Sequence, residues 1–308
     1  MDTTSRTPGF KLFAKRVILF FLPVILVFAV IEVLVRHVPN DYSYKNDWLE
    51  KNSDSVEVLV LGSSHSFFGI NTQYLKGGFN AAYTSQSLKY DWAIVRKYSW
   101  KKLKVIVLPV DYLTLFYDMD DGPEPWKVRN YNIYYGFNNY NFYDNFEIFN
   151  SSPNLNIKRI MNYYLDHKSR VTVNETGSGN GGNAAANLDS GFVAAKRHTA
   201  KTDKHFKDNL AYFDSIINFR KTLVITCPAY KSYYSVLDTV QLERTYEAIK
   251  QRNVAYHNFL KDTSFVAEDF SDPDHMSEKG AIKLTAKLNQ ILYSLERQPG
   301  NHHNYYLP

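Results

Sequence analysis

The chain has 308 residues, of which 44% are hydrophobic and 22% charged; 36 Lys and Arg stand against 31 Asp and Glu, for a net charge of +5. That length buries a core without disulfide or metal staples, and the composition excludes a disordered chain. The near-neutral balance, with no basic run longer than Lys101-Lys102, excludes a nucleic-acid footprint, and the single Cys227 excludes an internal disulfide and any CxxC centre.

The first predicted element is apolar from Val17 to Val35, with Glu32 as its one charge. A helix of this length spans roughly 28 Å, close to the thickness of a bilayer core, and Pro23 is tolerable within it. Arg6, Lys11, Lys15 and Arg16 precede the run against Asp2, whereas the charges after it are mixed. The positive-inside rule therefore expects residues 1–16 in the cytoplasm, an uncleaved single-pass anchor over 17–37 and the bulk of the chain outside the cytoplasmic membrane. A cleaved signal peptide is the rival, but the run is long for one and no small-x-small site follows it.

Residues 38–55 read as a polar linker. Val56–Leu61 is a short buried strand ending at Gly62, Gly78–Ala82 a weaker strand, Tyr90–Trp100 a helix and Lys104–Val110 a second clear strand. Arg220–Cys227 is the third, with Val254–Phe259 and Phe265–Phe270 as late strands. Helices are expected over Lys204–Phe219, Asp238–Arg252 and Ser277–Arg297. Strands alternating with helices predict an α/β fold, a three-layer α/β/α sandwich on a parallel sheet. Two stretches break that rhythm. Asn130–Tyr143 is almost only Asn and aromatics, suited either to packing or to stacking on sugar rings. Asn174–Ser190 is rich in Gly, Asn and Ala and reads as a flexible loop. Together they mark an insertion at about 115–200 within a domain over 56–298, followed by a tail at 299–308.

The chemistry sits at strand ends. Gly62-Ser63-Ser64-His65-Ser66 follows the first strand, where open parallel sheets carry their sites, and Ser64 is either a presented nucleophile or a helix cap. Asp272-Pro273-Asp274-His275 precedes the last helix. An Asp three residues before a His can fix its tautomer and leave the other nitrogen as a base, or the segment is a capping turn with an exposed His275. Asp269 and Asp274 are the other candidates to orient it. His65 and His198 are expected at the surface, with substrate contact the lesser reading for His65, and Cys227 buried and inert. No spacing of His, Asp and Glu suggests a metal.

The conjunction of Gly-x-Ser after the first strand and Asp-x-x-His before the last helix resembles the SGNH/GDSL hydrolase family. The resemblance covers roughly 56–112 and 220–296. It implies Ser64 as nucleophile, His275 as general base and Asp272 as its orienting carboxylate, with no cofactor. The family's second block falls on Phe79-Asn80 to Ser87, with Ser85 where Gly is usual. The third block, Gly-x-Asn-Asp, falls on Pro109-Val110-Asp111-Tyr112, and its Asn is missing. Asn80, Ser85 and Asp111 are the implied oxyanion and substrate residues. The anchored layout is similar to the exported O-acyltransferase branch, which implies a carbohydrate substrate and a multi-spanning membrane acyltransferase as partner. The alternative is a catalytically inactive glycan-binding or assembly subunit on the same fold.

Overall fold

The computed structural model describes residues 8–122, 124–137 and 142–297. Its helices are α1 (Pro8–Arg36), α2 (Asp41–Asn52), α3 (Ser64–Gly69), α4 (Leu88–Lys97), α5 (Pro125–Tyr135), α6 (Pro153–Tyr164), α7 (Gly191–His198), α8 (Phe206–Phe219), α9 (Lys231–Tyr234), α10 (Thr239–Lys250) and α11 (Glu278–Arg297). The strands are β1 (Val58–Val60), β2 (Gly78–Asn80), β3 (Val105–Pro109), β4 (Thr222–Thr226) and β5 (Ala255–Asn258). The chain divides into two compact units: residues 1–43 with 126–171, and residues 44–125 with 172–308.

In the larger unit all five strands are parallel, in the order β2-β1-β3-β4-β5, with helices on both sides. Strand residues are apolar because both faces are covered. Alternation sends Val58, Val60, Val107, Leu223 and Ile225 to one face, where they meet Leu284, Leu288 and Leu292 of α11. Leu59, Ile106, Leu108 and Val224 point the other way and are fully buried. The chain moves from β1 outward to β2, then crosses to β3 on the other side of β1. That reversal opens a crevice at the carboxyl ends of β1 and β3.

Two expected elements differ. The stretch 41–52 is a helix rather than a linker. Only a narrow stripe of it is apolar: Leu49 is fully buried, Trp48 stacks on Phe79 at 4.0 Å, and Lys45 is buried with its ammonium on the Ala82 carbonyl. The segment 265–270 is not a strand. A 3-10 turn occupies Ala267–Asp269, and Phe265 and Phe270 enter the core from the loop. The Asp269 carboxylate accepts from Val266 N–H and Lys283, which favours a turn over sheet pairing.

The Asn174–Ser190 stretch contains no helix or strand, as a loop should, yet it is closely held. Gly179 N–H donates to the Phe67 carbonyl, and a Cβ at Gly181 would lie 2.0 Å from the Met276 carbonyl oxygen.

The smaller unit holds α1, α5 and α6. Within the Asn/aromatic stretch, Tyr131 and Tyr135 are buried in α5 and Tyr131 packs edge-on against Tyr42. Residues 138–141 lie outside the described residues, as do 1–7 and the expected tail 299–308. α1 is long and apolar enough to cross a membrane, and its 18-residue apolar window is 0% buried.

Candidate active site

β1 ends against a sharp turn. Gly62 has φ +105°, and a Cβ there would lie 2.7 Å from Ser66 Oγ, so a side chain is excluded on two counts. Gly62 N–H donates to Asp91 Oδ1 at 2.8 Å, and Ser66 Oγ donates to the Leu61 carbonyl at 2.7 Å. The turn thus delivers Ser64 as the first residue of α3, with Ser63 at the cap position. The Ser64 hydroxyl caps nothing; it lies 2.8 Å from His275 Nε2, across 211 positions of sequence.

His275 is held from its other side. Its Nδ1 lies 2.8 Å from Asp272 Oδ2 and 3.0 Å from Oδ1. The same carboxylate accepts the backbone N–H groups of Asp274 and His275, at 2.9 and 2.8 Å. The turn therefore fixes the carboxylate before the carboxylate fixes the ring. Of the three acids weighed from sequence, Asp272 makes this contact. Asp269 is fully buried on Lys283, and Asp274 approaches His275 Nδ1 only to 4.0 Å. With Nδ1–H directed at Asp272, Nε2 is the nitrogen that accepts from Ser64.

His65 is not a surface residue. Its side chain is 14% exposed, with Nδ1 2.9 Å from Asp111 Oδ2 and Nε2 3.6 Å from Asp274 Oδ2. Burial alone would lower its pKa, but the charges and hydrogen bonds of Asp111 and Asp274 outweigh this and raise it to about 10. Burial would raise the Asp274 pKa, but His65 and the neighbouring imidazoles hold it well below the usual carboxylate range. His65 is therefore a fixed imidazolium beside the His275 ring, centroids 5.2 Å apart. Its adjacency to Ser64 was the only local signal. The acids that bury it come from after β3 and from the 272–275 turn.

The other residues singled out from sequence divide clearly. Ser85 lines the crevice with φ 61°, the left-handed region that favours Gly, and its hydroxyl donates to Glu124 at 3.2 Å. Asn80 is fully buried behind the crevice. Its amide donates to the Ser66 and Ile70 carbonyls and accepts Ala82 N–H, so it braces the turn. Asp111 lines the crevice, but both its oxygens are occupied, one by Cys227 N–H at 2.7 Å and one by His65. With one oxygen accepting from Cys227 N–H and the other facing His65, the Asp111 side chain supplies no oxyanion donor. His198, at the end of α7, also faces the crevice rather than open solvent, with Nδ1 2.9 Å from the Tyr233 hydroxyl. Burial lowers its pKa to about 4, so it is neutral at pH 7. Cys227 is buried, and burial raises its thiol pKa.

The crevice has a volume of about 720 Å³ and an apolar wall that includes Leu113 and Phe116, with Arg197 and Lys201 among its basic residues beside the histidines. That volume suits a small-molecule or sugar-sized group. Ligand atoms of His65, Asp274 and His275 fall within 4.8 Å of one another, a spacing open to a metal. Each of those imidazole nitrogens already faces Asp111, Asp274, Asp272 or Ser64, so the group reads as a hydrogen-bond network.

No protein-family model and no curated protein matches the chain. Among solved structures, a chain provisionally described as a platelet activating factor from Streptococcus pneumonia is similar at 12% identity and TM-score 0.39, over 91% of this chain and 99% of that one. A carbohydrate acetylesterase family member from Sinorhizobium meliloti is similar at 8% identity and TM-score 0.33, over 79% of this chain and 100% of that one.

Proposed function

We propose that the chain is a membrane-anchored serine esterase or O-acyltransferase with an SGNH-like site, acting outside the cytoplasmic membrane on acylated cell-surface polysaccharide. The observation that carries the reading is the relay Ser64–His275–Asp272 inside a crevice at the strand ends, with both ring nitrogens of His275 engaged within 2.8 Å. In this reading Ser64 Oγ attacks the ester carbonyl carbon as His275 Nε2 takes its proton. The first-turn N–H groups of α3, including that of Ser64, have no acceptor within the helix, and in this reading they are the donors for the developing oxyanion. Collapse expels the alcohol, which recovers the proton from His275 and leaves an acyl-Ser64 ester. Water or a sugar hydroxyl, deprotonated by the same nitrogen, then releases the acyl group. No cofactor enters. Arg6, Lys11, Lys15 and Arg16 before the apolar helix favour an extracytoplasmic domain. A multi-spanning acyltransferase would supply the acyl group if transfer is the reaction.

One observation favours a second reading, a non-catalytic glycan-binding or assembly subunit. Asp111 occupies the position of the third-block Asn, and an acceptor-only group there removes a donor that the resemblance implies. The test is polysaccharide acylation in cells carrying Ser64→Ala at normal protein level, with acetyl release from an aryl ester measured alongside. Altered acylation in the Ser64→Ala cells supports the enzyme; unchanged acylation leaves the scaffold.

A further inference from the structure

Glu32 is the one charge in the apolar run of α1, and the smaller unit accounts for it. Its Oε1 accepts Glu147 N–H at 3.1 Å and its Oε2 accepts Ile148 N–H at 2.9 Å, while Arg36 closes an ion pair at 2.7 Å. Arg36 also donates to the Asn145 carbonyl at 2.6 Å. A 3-10 turn, Glu147–Phe149, is thereby clamped to the end of the helix. Ile148 and Phe149 share a cleft with Phe28 and Ile31 of α1. Those two positions lie roughly 7–12 Å along the helix axis before Arg36, toward the centre of the apolar run. If α1 spans a bilayer, Ile148 and Phe149 sit below the level at which its polar end emerges.

The surface around that turn is apolar in the same sense. Ile157, Met161, Tyr164 and Leu165 recur at i, i+4, i+7 and i+8 along and just after α6, and all four are exposed. Inside the unit, α6 is fixed to the turn by Asn156, whose amide donates to the Ile148 carbonyl at 3.0 Å. Phe149, Phe142 and Tyr143 are exposed beside it. A stripe of this kind in water costs solubility, whereas aromatic and aliphatic side chains are favoured at the boundary of headgroups and acyl chains.

We propose that residues 142–165 form a collar seated in the outer leaflet, with Phe149 and the α6 stripe in contact with lipid. The occupant of the apolar face is the bilayer itself, because Ile148 and Phe149 line one cleft with Phe28 and Ile31 of the exposed apolar helix, and Tyr164 of the α6 stripe reaches the Leu34 carbonyl of the same helix at 3.5 Å. This rests on the anchored topology, not on the catalytic reading. The collar restrains the chain where it leaves the membrane by more than a single helix.

The test uses the full chain in vesicles of phosphatidylcholine and phosphatidylglycerol. Cys227 is buried, so cysteines introduced by Phe149→Cys, Met161→Cys and Ile25→Cys take an environment-sensitive nitrobenzoxadiazole label selectively. Nitroxides on lipid acyl chains quench from within the bilayer, and iodide quenches from water. The collar predicts that the labels at 149 and 161 lose emission to shallow acyl-chain nitroxides and are shielded from iodide, while the label at 25 responds to deeper nitroxides. Iodide quenching at 149 and 161 with position 25 still in lipid overturns the collar and keeps the anchor. Shielding of 149 and 161 from both quenchers assigns the face to a protein neighbour and also overturns it. If position 25 is not quenched by lipid, the anchor fails and the collar with it.

Discussion

Two histidines 5.2 Å apart, each paired with aspartate, carry opposite properties. His275 has one carboxylate on Nδ1 and a hydroxyl on Nε2, and its partner Asp272 is half exposed. His65 has a carboxylate at each nitrogen and is buried between them. A ring with one acid and one hydroxyl has an acceptor nitrogen to offer and can move a proton. A ring gripped by two acids holds its proton to about pH 10 and cannot serve as a base near neutrality. The number of carboxylates and their burial, not the residue type, divide chemistry from structure here.

The largest expected effect breaks the first half of that comparison. Ser64→Ala and His275→Ala should each lower esterase or transferase activity by about 10⁴–10⁶-fold, because a triad acts as a unit. Ser64 is not the cap of α3, so thermal melting should place Ser64→Ala close to the unsubstituted protein. Asp272→Asn should cost less, on the order of 10²–10⁴-fold, since the ring keeps its nitrogen but loses the acid that fixes its tautomer. Activity after this change equal to that after His275→Ala would mean Asp272 does more than orient.

His65→Gln breaks the second half. It leaves Asp111 and Asp274 facing each other without a cation, and a broken buried pair costs about 3–5 kcal/mol, read as a lower midpoint in denaturant. The His65 pKa is raised from 6.5 to about 10 in the folded state. Its stabilisation is therefore complete below about pH 6.5, declines above it and is gone beyond about 10. The stability gap between the unsubstituted protein and His65→Gln should close over that window; a gap independent of pH would mean His65 is not the cation.

The smallest effect concerns the floor of the turn. Burial raises the Asp91 pKa from 3.8 to about 7, against the lowering effect of the Gly62 N–H and Gln86. Its ionisation therefore costs stability progressively from about pH 4 and fully above 7. Asp91→Asn keeps an acceptor for Gly62 N–H and should add about 1 kcal/mol at pH 8 and less at pH 5, after the cost of one new amide group.

What was legible in the sequence was local. The apolar runs of β1, β3 and β4 are short, continuous and ended by Gly62 or Pro residues, so their place in a parallel sheet follows from composition. The Asp272-x-x-His275 spacing closes within one turn, so that contact was readable as well. His65 was not, because its acids stand 46 and 209 positions away: the crossover from β1 to β3 brings Asp111 to it, and the turn before α11 brings Asp274. The α2 helix was hidden because a polar segment with one buried lysine and few apolar residues looks like a linker. Phe265 and Phe270 looked like a strand because a loop that inserts two aromatics into a core matches the same short apolar pattern. The charge at Glu32 carried information that only the clamp on residues 147 and 148 makes plain.

The central claim is that Ser64 is an activated nucleophile, and covalent trapping tests it most directly. The full chain in detergent is treated with a fluorophosphonate probe, digested and mapped by mass spectrometry. The account predicts one adduct, on the peptide carrying Ser64, absent in Ser64→Ala and strongly slowed in His275→Ala. A folded protein that forms no adduct, or one labelled elsewhere at the same rate in all three forms, would contradict it.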